Sequence, residues 1–169
     1  MSANKETMKR KLFCYIFIIT LFTGCAGPRY TGFSIKHPQK TEVVIIEDKE
    51  TRIGFRTAME SWLTENDFQY IILPDGSPFD QNKINLEYEG HWNWDLALFL
   101  YDARITAFCK GQKVGEVRFK APNSLNLNKY GHAETRIKFM MDALFAKISF
   151  ADANNKLKER PKEESSEKE

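Results

Sequence analysis

The residues best suited to chemistry lie together in the stretch His91-Trp92-Asn93-Trp94-Asp95. If the stretch is extended, Trp92 and Trp94 point to the same face, because side chains alternate along a strand. Two such rings form a flat aromatic surface that stacks on a sugar or anchors a protein partner, and Asp95 could orient a ligand hydroxyl. The alternative is structural: the rings cover the edge of a sheet while Asp95 caps a turn through its own backbone.

Catalytic and metal-binding chemistry has less support in the sequence. His91 and Asp95 are candidate ligands for one metal ion, but a zinc site uses three or four ligands and no third is evident. Cys109 is a potential nucleophile, although its strand spacing from Ile105 and Ala107 favours a buried, unreactive thiol. The short signatures of serine hydrolases, zinc proteases, redox CxxC motifs and phosphate loops do not occur. We expect no cofactor and no metal, and we favour a non-enzymatic role over a hydrolase built on Asp95 and His91.

A different cysteine, Cys25, ends a hydrophobic segment near the start of the chain, in the sequence LFTGCA. Basic residues precede an apolar run from Leu12 to Phe22, which at 11 residues is shorter than the roughly 20 that a membrane-spanning helix needs. Small residues then lead to the thiol, so residues 1–24 are predicted to be an export signal. An ordinary secretory signal cleaved near Ala26 is the alternative.

The segment LFTGCA resembles the lipobox of bacterial lipoproteins, in which an aliphatic residue and small residues precede an invariant cysteine. The resemblance implies transfer of diacylglycerol to Cys25, cleavage after Gly24 and acylation of the new amino group, which makes the membrane a partner. Two or more acyl chains give stable anchoring. The resemblance also implies sorting to the outer membrane, because Ala26 lacks the acidic character of the inner-membrane retention signal.

Charge and cysteine content narrow the possible partners. The chain of 169 residues has a formal net charge of +2, and residues 1–24 contain four of its cations and one of its anions, which leaves −1 after cleavage. With both signs interspersed, there is no basic surface of the kind that phosphate backbones require, so nucleic acid is not an expected partner. After loss of Cys14 and acylation of Cys25, Cys109 is the only free thiol, which excludes an internal disulfide.

The remaining sequence predicts one domain between two polar segments. Residues 25–40 read as a flexible tether, residues 41–150 as a single α+β domain, and residues 151–169 as a charged tail that cannot bury a core. We expect a two-layer sandwich, in which a mixed sheet of about five strands, built as β-α-β and then a β-meander, carries two helices on one face.

Hydrophobic periodicity places the elements of this domain. A strand over 41–47, a helix over 53–63 with a left-handed stop at Asn66, and a strand over 68–73 predict a right-handed parallel crossover. Beyond it, the pattern predicts strands over 84–89, 96–109 and 114–119, a turn at Trp92 to Asp95, a hairpin turn at 110–113 and a final helix over 137–148.

The segments EYEGHWNWDLALFLYDARITAF, VGEVRF and NKYGHAETRIKFMMDALF are similar to an uncharacterised family of Gram-negative outer-membrane lipoproteins. This resemblance implies a lipid-anchored location at the periplasmic face of the outer membrane and a shared fold, and it carries over no catalytic residue. We therefore expect an interaction or assembly module that binds another envelope protein. The alternatives are a module that binds glycan or peptidoglycan through Trp92 and Trp94, and an envelope hydrolase.

Overall fold

The computed structural model describes residues 29–36, 38, 41–122 and 132–157. Residues 1–28, which include the predicted export signal and Cys25, and residues 158–169 of the predicted tail lie outside the described residues. The described residues form one sheet of six strands and three helices: β1 (Tyr30–Phe33), β2 (Val43–Ile46), α1 (Ile53–Glu65), β3 (Tyr70–Leu73), β4 (Ile84–Asp95), β5 (Ala97–Cys109), β6 (Gln112–Lys120), α2 (Ala133–Leu144) and α3 (Phe150–Lys156). The order across the sheet is β1-β6-β5-β4-β2-β3, which confirms the predicted α+β class.

The predicted parallel crossover is present at one side of the sheet. Strand β2 pairs in parallel with both β3 and β4, and all four of its residues are buried, as a short β-branched run in the sheet interior should be. Helix α1 connects β2 to β3. The left-handed residue after α1 is Asp67, with φ of 58°, and not Asn66 as predicted. Asn66 instead donates its side-chain amide to the carbonyl of Trp62 at 2.6 Å.

The predicted meander forms the other half of the sheet, where β4, β5 and β6 pair in antiparallel order. The β5–β6 hairpin turns at Lys110 and Gly111, with φ of 51° and 71°. Two successive positive φ values belong to a type I′ turn, whose twist matches that of the flanking strands. The hairpin predicted at residues 110–113 is therefore confirmed.

The sixth strand comes from the segment that was predicted to be a tether. Strand β1 pairs with β6 in antiparallel order, with Tyr30 opposite Phe119. The ring of Tyr30 is buried and lies 5.2 Å from that of Phe119, between ring centroids. A flexible segment therefore cannot extend to residue 40, because the chain joins the sheet from residue 30 onwards.

Helices α1 and α2 cover the same face of the sheet, as predicted. On that face, a Cβ atom at Gly90 would lie 2.7 Å from the ring of Phe55 in α1, and one at Gly115 would lie 2.8 Å from Leu144 in α2. Trp62 joins the two helices, because its Nε1 donates to Asp142 Oδ1 at 2.8 Å and its ring lies 4.9 Å from that of Phe145. None of the described helices is long and apolar enough to cross a membrane.

Helix α3 occupies the first part of the predicted tail. It begins with a capping box, in which Ser149 accepts from the backbone of Asp152 while Asp152 accepts from the backbone of Ser149. Ala153 is buried, and Asn154 makes three hydrogen bonds with the backbone of Arg29 and of Tyr30, the first residue of β1. The segment from 151 to 157 is therefore part of the fold, and residues 158–169 lie outside the described residues.

Candidate binding site at the β4–β5 hairpin

The stretch from Trp92 to Asp95 belongs to strand β4 and is not the turn that was predicted. The chain reverses one residue later, at Leu96, which has φ of 63° and lies between the paired residues Asp95 and Ala97. The hairpin therefore extends the sheet beyond the position where the polar residues Asn93 and Asp95 suggested that it would end.

A β-bulge within the hairpin changes which residues share a face. His91 pairs with Asp102, but Trp92 pairs with Leu100, so that Tyr101 is an extra residue in β5. Because the alternation shifts by one at this point, Leu98 and Leu100 lie opposite Trp94 and Trp92. Uninterrupted alternation along the strand predicted over 96–109 would place all its odd-numbered residues on one face. Between residue 97 and the bulge, Leu98 and Leu100 lie on the face of Ala103 instead.

Trp92 belongs to the edge of the hydrophobic core. It is half-buried, and its ring meets that of Phe55 edge to face, with 6.3 Å between the centroids and 82° between the planes. The guanidinium carbon of Arg52 lies 5.8 Å from the centre of the Trp92 ring. Phe55 also stacks on Tyr88 at 5.2 Å, and burial raises the pKa of the Tyr88 phenol. Trp92 thus helps to close the core beside the start of α1.

Trp94 has the opposite character. Its side chain is 70 % exposed, and it lies near two further exposed apolar residues of the same hairpin, Leu96 at 83 % and Leu98 at 47 %. We call Trp94, Leu96 and Leu98 the apolar tip. Trp92 continues the alternation of the buried residues earlier in the strand, whereas Trp94 lies nearer the turn, so the sequence predicts that Trp92 is the more buried of the two. The structure confirms this difference. The flat surface of two exposed rings is not formed, because Trp92 is engaged by Phe55.

His91 and Asp95 are not brought together. His91 is exposed and lines a groove on the sheet face away from the helices, whereas Asp95 is half-buried beside the apolar tip. Four residues separate them along β4, which corresponds to about 13 Å in an extended strand. Among the described residues, no group of three or more histidine, cysteine or acidic side chains is arranged to hold a metal ion.

The groove beside His91 is a feature that sequence reasoning did not identify as a site. It has a volume of about 880 Å³ and lies between the outward face of β4 and β5 and the loop that follows β3. Glu89 and Arg104 form an ion pair across its floor at 2.7 Å, between Oε1 and Nη2. The signal that could have revealed this groove is the alternation of polar residues in the middle of both strands, with Glu87, Glu89 and His91 on β4 and Arg104 and Thr106 on β5.

Cys109 lies at the end of β5 and is half-buried, whereas its strand spacing predicted a buried thiol. The reason is a second register shift, after which Phe108 pairs with Lys113 and Val114 is the extra residue in β6. Phe108 stacks on Phe79 at 4.6 Å, and Cys109 is left beside the hairpin turn.

Comparison with known proteins adds little to this description. No protein-family model matches the chain, and no curated protein matches it. The chain is similar to a crystal structure of a minor lipoprotein from Acinetobacter baumannii, with 16 % identity and a TM-score of 0.25. The alignment covers 68 % of this chain and 94 % of that one. A similarity at this TM-score carries no argument about either fold or function.

Proposed function

We propose that the protein is a lipid-anchored envelope lipoprotein that faces the periplasm from the outer membrane and acts as a non-enzymatic interaction module. The anchoring part of the proposal is supported by the sequence LFTGCA, with its basic and apolar residues ahead of Cys25. Two or more acyl chains at Cys25 would hold the domain stably at a membrane surface.

The interaction part is supported by one observation, the exposure of the apolar tip. Single apolar residues are common on protein surfaces, but Trp94, Leu96 and Leu98 are exposed together at one end of one hairpin. Burying them would stabilise the domain, yet the hairpin carries them away from the core. Exposed apolar patches of this kind mark surfaces that contact another molecule.

The two alternatives have less support. A glycan-binding surface that stacks a sugar on both tryptophans would need Trp92 as well as Trp94, and Trp92 is engaged by Phe55. A hydrolase built on His91 and Asp95 would need the two side chains in one cleft, whereas only His91 lines the groove. The interaction module is therefore the function that the geometry favours.

Fractionation of cells that express the Cys25→Ser variant tests the anchoring. We expect the variant to be released from membranes or to accumulate as uncleaved precursor, because the thiol that accepts the lipid is gone. Cys109→Ser is the matched control, since it removes the other thiol of the mature chain and should stay with the outer membrane in a density gradient. Membrane association of Cys25→Ser equal to that of the control would overturn the proposal.

A further inference from the structure

We propose that the apolar tip inserts into the interfacial layer of the bilayer that carries the lipid on Cys25, so that the domain contacts its membrane at two points. This inference rests on the proposed function, because the lipid fixes how far the bilayer can be from the domain. It names the partner of the apolar tip as a lipid surface, in preference to another protein or a glycan.

The chain enters the sheet near the end of the domain that carries the apolar tip. The carbonyl of Arg29 accepts a hydrogen bond from the backbone N of Lys120 at 3.0 Å, and Lys120 pairs with Asp102, which pairs with His91. Arg29 is therefore level with His91 along the strand direction. Strand β1 runs antiparallel to β6, so the chain ahead of Arg29 leaves the domain at the end from which the β4–β5 hairpin projects.

The lipidated residue and the apolar tip extend comparable distances from the domain. Cys25 precedes Arg29 by four residues, so it can lie at most about 14 Å away, even along a fully extended chain. Leu96, the far end of the apolar tip, follows His91 by five residues and therefore lies about 17 Å beyond the same level at the usual rise of a strand. The apolar tip thus projects at least as far from the domain as the lipidated residue can reach. With the strands along the bilayer normal, a membrane that holds the lipid also meets the apolar tip.

The side chains at this end of the domain have the chemistry that suits a lipid surface. Tryptophan and tyrosine favour the boundary between headgroups and acyl chains, and Trp94 and the exposed Tyr101 are both in this hairpin. Leu96, at the turn, is the most exposed of the large apolar residues in the described part of the chain. Two exposed cations, Arg52 and Lys120, lie behind the apolar tip, where they can meet lipid phosphates.

The experiment uses the full-length, processed protein in vesicles of phosphatidylethanolamine and phosphatidylglycerol. In a Cys109→Ser background, Leu96→Cys or Gln112→Cys provides one free thiol for the environment-sensitive fluorophore NBD. Gln112 is the matched control, because it is exposed and begins β6 at the opposite end of β5 from the apolar tip. Circular dichroism checks that both labelled proteins are folded, and mass spectrometry checks acylation at Cys25 before reconstitution.

We expect a several-fold rise in emission, a blue shift and quenching by brominated lipids for the label at position 96, and none of these for the label at position 112. If the acylated protein is in vesicles and the label at position 96 still reports water, the inference is overturned and the lipid anchor stands. If that label becomes shielded only when an envelope protein extract is added, the partner is a protein and the inference is also overturned. If no acylation is found, the proposed function fails, and the inference fails with it at that earlier step.

Discussion

The side-chain amide of Asn154 makes hydrogen bonds with both the backbone N–H and the carbonyl of Tyr30. Its Oδ1 accepts from the backbone N of Tyr30 at 2.9 Å and of Arg29 at 2.6 Å, and its Nδ2 donates to the carbonyl of Tyr30 at 2.8 Å. The two residues are 124 positions apart in the chain. One side chain from α3 therefore fixes the point at which the amino-terminal segment enters the sheet.

The Asn154→Ala substitution should weaken this attachment. It leaves two part-buried N–H groups and one carbonyl without the partner they have in the native protein, so we expect a loss of about 1–3 kcal/mol in the free energy of unfolding. Urea denaturation monitored by circular dichroism measures the change. Asn155→Ala is the control, because Asn155 is exposed on the same helix. Equal stability of the two variants would contradict the role assigned to Asn154.

Truncation should separate α3 from the charged residues that follow it. Removing residues 158–169 deletes an almost entirely polar segment, and we expect no change in Tm. Removing residues 150–169 also deletes the buried Ala153 and the hydrogen bonds that Asn154 makes with Arg29 and Tyr30. We expect Tm to fall by about 5 °C or more. Thermal melts of the two truncated proteins test this, and a large effect of the shorter deletion would show that the boundary at residue 157 is wrong.

The two tryptophans of the hairpin should differ in their effect on stability. Trp94→Ala removes an exposed side chain, so the free energy of unfolding should change by no more than about 0.5 kcal/mol. Trp92→Ala removes the ring that meets Phe55, and we expect a loss of about 1–3 kcal/mol, less than for a fully buried tryptophan. Equal and severe destabilisation by both substitutions would exclude the apolar tip as a contact surface.

Two glycine-to-alanine substitutions should have opposite signs. A Cβ atom at Gly90 would lie 2.7 Å from Phe55 and 2.9 Å from Trp92, so Gly90→Ala overpacks the core and should cost about 1–3 kcal/mol. Gly54, in the first turn of α1, has no atom within 4 Å of such a Cβ. Gly54→Ala should therefore stabilise the protein by about 0.5–1 kcal/mol through a better helix propensity. Chemical denaturation of both variants measures the difference.

Alkaline pH should destabilise the protein through Tyr30. Burial raises the pKa of its phenol well above the ordinary value, and the neighbouring Arg136 lowers it by less. The stabilising effect is complete below the pKa of the unfolded chain, near 10, and is lost above it at about 1.4 kcal/mol per pH unit, because only the unfolded form ionises. Between about pH 9 and about pH 11, the free energy of unfolding should fall more steeply with pH for the native protein than for Tyr30→Phe. Urea denaturation of both proteins at several pH values in this range measures the two slopes. Parallel pH profiles would contradict this account.

The parallel crossover was predictable from sequence, because its signals are local. The β-branched run of β2 is uninterrupted, and the helical spacing of Phe55, Met59 and Trp62 matches the buried side of α1. The capping box of Ser149 and Asp152 was an equally local signal for α3, and it spans the boundary at residue 151 where the charged tail was predicted to begin.

Strand β1 and the form of the β4–β5 hairpin could not be predicted in this way. Only Tyr30 of β1 is buried, and the strand exists because it pairs with a segment more than eighty residues later. The hairpin turns at Leu96, in a left-handed conformation that leucine rarely adopts. Asn93 and Asp95, which are residue types common in turns, indicate a turn earlier in the chain. The bulge at Tyr101 then shifts the alternation, so the side on which each residue lies is set by pairing between strands.

The antiparallel pairing of β1 with β6 also determines how the domain responds to mechanical force. A pull on the chain ahead of Arg29 acts along the strand axis, whereas the hydrogen bonds between the two strands lie across it. The load is therefore shared in shear by all the bonds of β1, and the bonds of Asn154 take it first. Tension applied from this end cannot peel β1 from the sheet one bond at a time, even though the strand is only four residues long.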